Sequence, residues 1–565
     1  MESEDFEEFI FGEEVNFDDL NGSDIETDSS SDSDSEPEED GPSPDDALDL
    51  ASFIASAPAP TPTQASSNVD WDWISSPNHN APVEPFNNLT SGWTRHLSSQ
   101  ETELEMFLLL FSEDCRNICI TETNKYADQT GDCTTKRWSK WMDLNHQDLT
   151  KFLAIRMLMG INKKPDMTKY WSRDAMFHFP IISKILPQDR FFEIQKYLHF
   201  SDNNDYVQGD RVFKTRTLWE TCTANFSSLL NPHKKISIDE SLILHKGRLY
   251  FHQFIPNKRS RFGIKTFSIV DEETGFILNS IIYSEKNQDL QYSTKEYGYG
   301  GAIVLELARP YLNNFHHIYC DNFFTSPNLA IYLLQQKTYL CGTLRKGRKN
   351  AAIPPSRMRR GDVEVFSSNS VMNEFWRDKK IVRMISTTHS HEMVDVRKRD
   401  GTIVKKPKSL VDYNNSARGI DQSDMQMHFN SVKRKTRKWY KKLFFQLIDM
   451  CFFNAFKMYK SLHPHAKFLD FQLNFIRQVV ALYGLKETTI PAPSRDLERL
   501  VARHFPAHNP PTKGKPHGSR ICHVCSQNKS KNNGKCKETR YQCDICKVAL
   551  CIVPCFRIYH TLKNF

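Results

Sequence analysis

Two acids stand in a strand-like stretch that is otherwise apolar. In KKISIDESLILHKGRLYF, residues 234–251, Asp239 and Glu240 interrupt a run containing Ile236, Ile238, Leu242 and Ile243. A carboxylate is costly to bury there unless something compensates it. Such an acid either ends a strand and points to water, or binds a metal. Asp321 closes a second apolar stretch, HHIYCDNF, and Asp421 and Asp424 in GIDQSD are spaced i and i+3, on one face of a helix. Two strand-end carboxylates and one from a helix can hold two divalent cations. Mg²⁺ (or Mn²⁺) prefers carboxylate oxygen. A pair of such ions activates a water or a 3′-hydroxyl and stabilises the leaving oxygen during in-line attack on a phosphodiester.

A second set of ligands lies near the C-terminal end. Cys522-x2-Cys525 and Cys543-x2-Cys546 are paired knuckles, followed by Cys551, Cys555 and His560. Thiolate pairs at this spacing suit tetrahedral zinc, and a short segment without a core of its own needs such a staple. The role expected of the metal is structural, because the ligand set looks full.

The elements that would position these residues follow from periodicity. Residues 97–230 read as helical, with amphipathic runs such as DLTKFLAIRMLMGINKKP ending at Pro165. Strands are expected at 235–243, 248–254, 264–271 and 276–284, with the turn DEETG between the last two. A helix over 293–313, a strand ending at Asp321, a helix over 327–336 and the strand TYLCGTL follow. Three strands, a helix, a strand, a helix and a strand is the order of a ribonuclease-H-like core. That architecture sets the ends of its first and fourth strands side by side, where Asp239 and Asp321 stand.

Residues 345–410 break the pattern with the basic runs RKGRKN, RMRR, RKRD and KKPK, and read as an insertion. The fold class expected is therefore α/β and multidomain. Its parts are an acidic, disordered tail (1–97), a helical domain in two pieces (98–232 and 433–486), a catalytic core in two pieces (233–344 and 411–432), the insertion domain, a basic linker (487–520) and a cysteine-rich zinc domain (521–565).

Charge separates along the chain. Residues 1–94 hold 24 acids and no Lys or Arg, leaving 74 basic against 45 acidic residues in the remainder, a net of +29. A basic body suggests a nucleic-acid partner, with a tail that competes for the same surface. The Ser-Asp alternation from Ser29 to Ser35 suits an acidophilic kinase or a plain solubilising tail. No signal peptide precedes the acidic start, and no apolar run reaches membrane-spanning length. Seven of the 14 cysteines fall between Cys522 and Cys555, which is not a secreted disulfide pattern.

From about residue 97 onward the chain resembles the piggyBac-type DNA transposases. The carriers are LMGINKKP with YWS, FFEIQKYLHFSDN, SIDES, HHIYCDNFFTS, CGTLRKGR, FWRDKKIVRMIST, VDYNNSARGIDQSD, RKTRKW and the cysteine-rich end with YHTLKNF. The resemblance implies a cut-and-paste transposase whose catalytic triad is Asp239, Asp321 and Asp421, with Asp424 a supporting acid. It implies two Mg²⁺ (or Mn²⁺) per active site, hairpin intermediates, joining at TTAA, terminal inverted repeats as DNA partner, DNA binding and dimerisation by the two-piece helical domain, a homodimer and nuclear residence. Seven zinc ligands match the family pattern; two zinc ions require eight, and Cys536 or His523 is the candidate for the last.

Arg345, Lys346, Arg348 and Lys349 are expected to contact DNA phosphates, as are Lys258, Arg259, Arg261 and Lys265 near Asp239. Trp376 either stacks near a distorted DNA end or is a core aromatic. KKPK and RKTRKWYKK read as import signals or DNA contacts. The alternative function is a domesticated, non-catalytic DNA-binding or chromatin protein, which the retained acids oppose.

Overall fold

The computed structural model describes residues 69–87, 91–130, 141–255, 262–284, 290–398, 401–484, 504–512, 514–527 and 536–562. Helices come first: α1 (Glu103–Leu110), α2 (Glu113–Thr130), α3 (His146–Ile161), α4 (Gln188–Tyr197) and α5 (Phe213–Leu229). The central elements are β1 (Lys235–Leu244), β2 (Phe262–Asp271), β3 (Ile277–Ile282), α6 (Thr294–Ala308), β4 (His317–Cys320), α7 (Pro327–Gln335) and β5 (Tyr339–Thr343). Strands β6 (Val363–Ser368), β7 (Val371–Arg377), β8 (Ile381–Ser386), β9 (Met393–Arg397) and β10 (Ile403–Pro407) follow. Then come α8 (Lys408–Ser416), α9 (Gly419–Phe429), α10 (Trp439–Leu462) and α11 (Phe468–Tyr483).

Local chemistry sets the helix starts. Thr102 and Glu105 form a capping box at α1, and the Asn145 side chain accepts from Asp148 N at α3. The early and late helices share one core. Phe107 stacks on Phe452 at 4.2 Å and meets Phe475 edge-on at 5.0 Å. Arg156 is buried within it, donating to the Val432 carbonyl at 2.7 Å and lying 3.9 Å over the Phe445 ring.

The sheet has the ribonuclease-H-like arrangement. β1 pairs antiparallel with β2, and β2 with β3, while β4 lies parallel to both β1 and β5. Of the expected strand over 248–254, only Gln253–Phe254 is extended and paired. The strands expected as part of an insertion continue this sheet: β8 pairs with β5, β7 with β8 and β6 with β7. Only β9 and β10 form a separate ribbon.

The sheet ends on a strand from the expected disordered tail. Ile74–Ser75 pairs with β6, and Trp73 Nε1 donates to the Asn350 carbonyl at 2.9 Å. Further along, Glu84 N donates to the Tyr339 hydroxyl at 2.7 Å, and Gly92–Trp93 pairs with Leu230–Asn231. This corrects the expectation of disorder up to residue 97. The acidic and Pro-rich composition hides three tryptophans, Trp71, Trp73 and Trp93, which pack on the core.

Residues 69–87 form a strap along the sheet, and a buried polar cluster fixes it. Glu374 is 1% exposed, accepts from the Ser409 hydroxyl and lies 2.7 Å from His391 Nδ1, while His391 N donates to the His79 carbonyl at 3.0 Å. The hydrogen bond to Glu374 holds the His391 imidazole above its ordinary value. The stability from this pair is present below that ordinary value and is lost as pH rises through the raised one. Amide exchange over residues 76–84, corrected for its intrinsic rate, should be slower at a pH below the ordinary imidazole value than at a pH above the raised one. In Glu374→Gln it should be fast at both pH values; an unchanged pH profile in that variant refutes the role of the pair.

Candidate active site and zinc centres

β1 carries Asp239 past the point where its neighbour stops. Ile238 pairs with Cys320, the last residue of β4, and Asp239 is opposite Ser268 of β2. Asp321 is the next residue after Cys320, so it emerges beside Asp239. Glu240 starts from the other face of β1, because side chains alternate along a strand. With β4 ended, that edge is open, and carboxylate oxygens of Asp239, Glu240 and Asp321 all lie within 4.8 Å of one another.

The turn after β4 is stiff. Asp321 Oδ1 accepts from Phe323 N at 2.8 Å, and its carbonyl accepts from Phe324 N and Thr325 N. Arg348 braces the same turn from outside, donating to the Asn322 and Phe323 carbonyls. The negative field of the acids reaches their neighbours. Burial first, and then the charges of Asp321 and Asp239, push up both the Cys320 thiol and the Tyr413 phenol.

The helix bearing the last two acids lies over the Asp239 face. α9 buries Gly419, Ile420, Ser423 and Met427. A Cβ on Gly419 would lie 3.0 Å from Val270 Cγ1 and 3.3 Å from Ser237 Oγ. Ser237 and Asp239 share a face of β1. Asp424 flanks the buried side of α9 and is half-buried, whereas Asp421 is exposed; neither belongs to the 4.8 Å group.

Two further groups form at the C-terminal end: Cys522, Cys525, Cys551 and Cys555 in one, and His504, Cys543, Cys546 and His560 in the other. Cys525 and Cys555 sulfurs are 3.6 Å apart; Cys546 Sγ is 3.5 Å from His504 Nδ1 and 3.7 Å from His560 Nε2. Zinc–sulfur bonds of about 2.3 Å imply tetrahedral edges of roughly 3.5–3.8 Å, so both sets fit zinc. His560 Nδ1 donates to the Phe556 carbonyl at 2.7 Å, which leaves Nε2 as the ligating nitrogen. The acid group offers only oxygens, which fits Mg²⁺ or Mn²⁺.

Comparison with known proteins finds matches over both regions. Residues 102–456 match the family model described as transposase IS4, and residues 506–561 match the DDE_Tnp_1-like zinc finger. PiggyBac transposable element-derived protein 2 of Homo sapiens is 26% identical over 427 residues, 72% of this chain and 69% of that protein. PiggyBac transposable element-derived protein 3 of Homo sapiens is 25% identical over 482 residues, 81% of this chain and 76% of that protein. The chain belongs to the piggyBac-type transposase family. A cryo-EM structure of the piggyBac transposase synaptic complex with hairpin DNA shares the fold, with TM-score 0.64 and 21% identity over 82% of this chain and 97% of that one.

In this transposase family member, sequence reasoning missed two candidate ligands. Glu240 reads only as an interruption of β1, although its place next to Asp239 in SIDES was a signal. His504 lies in what reads as linker, and nothing in its spacing marks it. The linker's end is part of the zinc unit, since Pro506–His508 pairs with Tyr541–Cys543. His504 is therefore the eighth candidate ligand in the two groups. Cys536 and His523 stand outside both groups; His523 instead meets the Tyr559 ring edge-on at 5.7 Å.

The expected DNA contacts divide. Arg345, Lys346 and Lys349 are exposed, as phosphate binding requires. Arg348 is half-buried and spends donors on backbone carbonyls. Lys265 is 9% exposed, with Nζ 4.3 Å from the Phe323 ring and 4.8 Å from Phe267, so it is no solvated charge. Lys258, Arg259 and Arg261 lie outside the described residues.

Trp376 is 6% exposed and packs with Tyr319, Cys341, Met384 and Leu410. The stacking expectation is corrected: the ring has no free face for a base. Trp376→Ala should cost about 3–5 kcal/mol in urea unfolding, because it leaves a cavity. DNA affinity of the folded variant should be unchanged; a loss of affinity without a loss of stability would restore the stacking role.

Proposed function

We propose that this family member is an active, metal-dependent transposase that excises and joins DNA by phosphodiester hydrolysis and transesterification. The observation that carries this reading is the convergence of Asp239, Glu240 and Asp321 where β4 ends beside the middle of β1. Asp239 and Asp321 hold the divalent cations, Glu240 adds an oxygen from the same strand, and α9 brings Asp421 and Asp424 from above. When bound, the cations activate the nucleophile and stabilise the leaving oxygen. Exposed Arg345, Lys346 and Lys349 seat the phosphates beside the turn that Arg348 braces.

The reaction begins with water attacking a phosphodiester at each element end, which releases a 3′-hydroxyl. That hydroxyl attacks the opposite strand, forming a hairpin as the flanking 3′-oxygen leaves. Hydrolysis reopens the hairpin, and the freed 3′-hydroxyl then attacks a target phosphodiester at TTAA, displacing the 3′-oxygen of the target strand. Two ends must be handled together, which calls for a homodimer acting on nuclear DNA, with the zinc domains reading the terminal repeats.

One observation favours the alternative of a domesticated DNA-binding protein: both α9 acids stand outside the strand-acid group. A cleavage assay separates the two. Purified protein is incubated with Mg²⁺ or Mn²⁺ and a DNA end, taken from the element flanking its gene, abutting TTAA. Nicking followed by a hairpin supports the enzyme; retained binding with no cleavage in either metal supports the alternative.

A further inference from the structure

Asp421 and Asp424 reach the strand acids only if α9 starts in the right place. The residue before the helix, Arg418, gives its first turn no side-chain hydrogen bond. The partner comes from elsewhere: Glu272, in the turn after β2, accepts from Gly419 N at 3.3 Å. The backbone of Glu272 is itself fixed to the sheet, its N–H donating to the carbonyl of Lys235, the first residue of β1, at 3.1 Å. Lys235 makes a second tether, Nζ donating to Ser416 Oγ at 3.1 Å, at the end of α8. The junction 416–419 is thus pinned at two points to the strand that carries Asp239 four residues on.

The contact needs glycine. A Cβ at position 419 would lie 2.7 Å from Glu272 Oε1 and 3.0 Å from Val270 Cγ1. A carboxylate at this end also complements the helix dipole. Burial pushes the Glu272 carboxyl up to about 7, so its neutral amide analogue is a fair substitute as an acceptor.

We infer that Glu272 is a positioning residue, which sets how near Asp421 and Asp424 come to Asp239 by holding the first residue of α9. This rests on the reading of these acids as metal ligands. Glu272 touches neither substrate nor cation; it acts through Gly419. Removing a group that orients metal ligands typically costs about 10–100-fold in metal affinity.

The test is Mn²⁺ binding to the full-length protein, followed by electron paramagnetic resonance without DNA, beside thermal unfolding. Glu272→Ala and Gly419→Ala should each weaken the Mn²⁺ that Asp239→Ala abolishes, by about tenfold or more. Glu272→Gln should stay within about threefold of wild type. The double variant Glu272→Ala/Gly419→Ala should be no worse than either single change, since both remove one contact.

Unchanged Mn²⁺ affinity in Glu272→Ala overturns the inference while the metal reading stands. So does an equal loss in Glu272→Gln, or a loss matched by a fall in melting temperature in both variants. If Asp239→Ala leaves Mn²⁺ binding intact, the metal reading itself fails and the inference falls with it.

Discussion

Asp239→Ala is expected to lower strand cleavage by on the order of a thousandfold or more, while DNA affinity changes by no more than about twofold. Asp239 is central to the group: it sits on the one strand that touches both β2 and β4, and Asp321 is level with it across the parallel pair. Removing its carboxylate leaves Glu240 and Asp321 without the third member of the group. The side chain is half-buried at the point where β1 runs past the end of β4 and makes no large contribution to the core, so the fold should survive. Single-turnover cleavage with saturating protein isolates the chemical step from binding. Glu240→Gln is a graded companion, expected to lose less, because its carboxylate comes from the opposite face of β1. Equal cleavage by wild type and Asp239→Ala would remove the strand acids from the chemistry.

The second large effect concerns zinc. The purified chain should carry two zinc ions, and His504→Ala should carry one. Cys536→Ser should still carry two. The apolar core of this unit consists largely of the ligands themselves, with Val524, Leu550 and Tyr559. So little buried surface cannot order the segment without metal. Structural zinc supplies folding free energy on the order of 10 kcal/mol in such units. Chelation should therefore melt residues 504–562 and leave the helical and sheet core folded. Zinc release measured with a chromophoric chelator, together with amide exchange, reads both results. Two zinc ions in His504→Ala would put the eighth ligand elsewhere.

Much of the site was legible because its chemistry is written in local spacing. Four cysteines in two x2 knuckles announce zinc wherever the chain takes them. Strand-end acids in apolar runs announce either solvent or metal, and the order of strands and helices around Asp239 and Asp321 was enough to place them together. The lone His504 carries no such spacing. Its role depends on a strand pairing, Pro506–His508 with Tyr541–Cys543, formed across more than thirty residues of sequence. Trp376 shows the reverse limit. A tryptophan among basic residues reads equally as a DNA contact or as core, and only its packing on Cys341 and Met384 decides. The strap over 69–87 was hidden because composition averages over a window, whereas Trp71 and Trp73 act as individual anchors.

The sequence alone determined the ligand types, the order of the elements and the family motifs, because these are properties of neighbouring residues and of hydrophobic period. The tertiary structure decided which ligand atoms meet. The parallel register of β1 and β4 puts Asp321 level with Asp239, and the end of β4 lets Glu240 reach the same point from the other face. Glu272, 147 residues before Gly419, supplies the α9 contact that Arg418 does not. Distances between such residues depend on strand register and helix seating, which are set by packing of the whole core rather than by any local pattern.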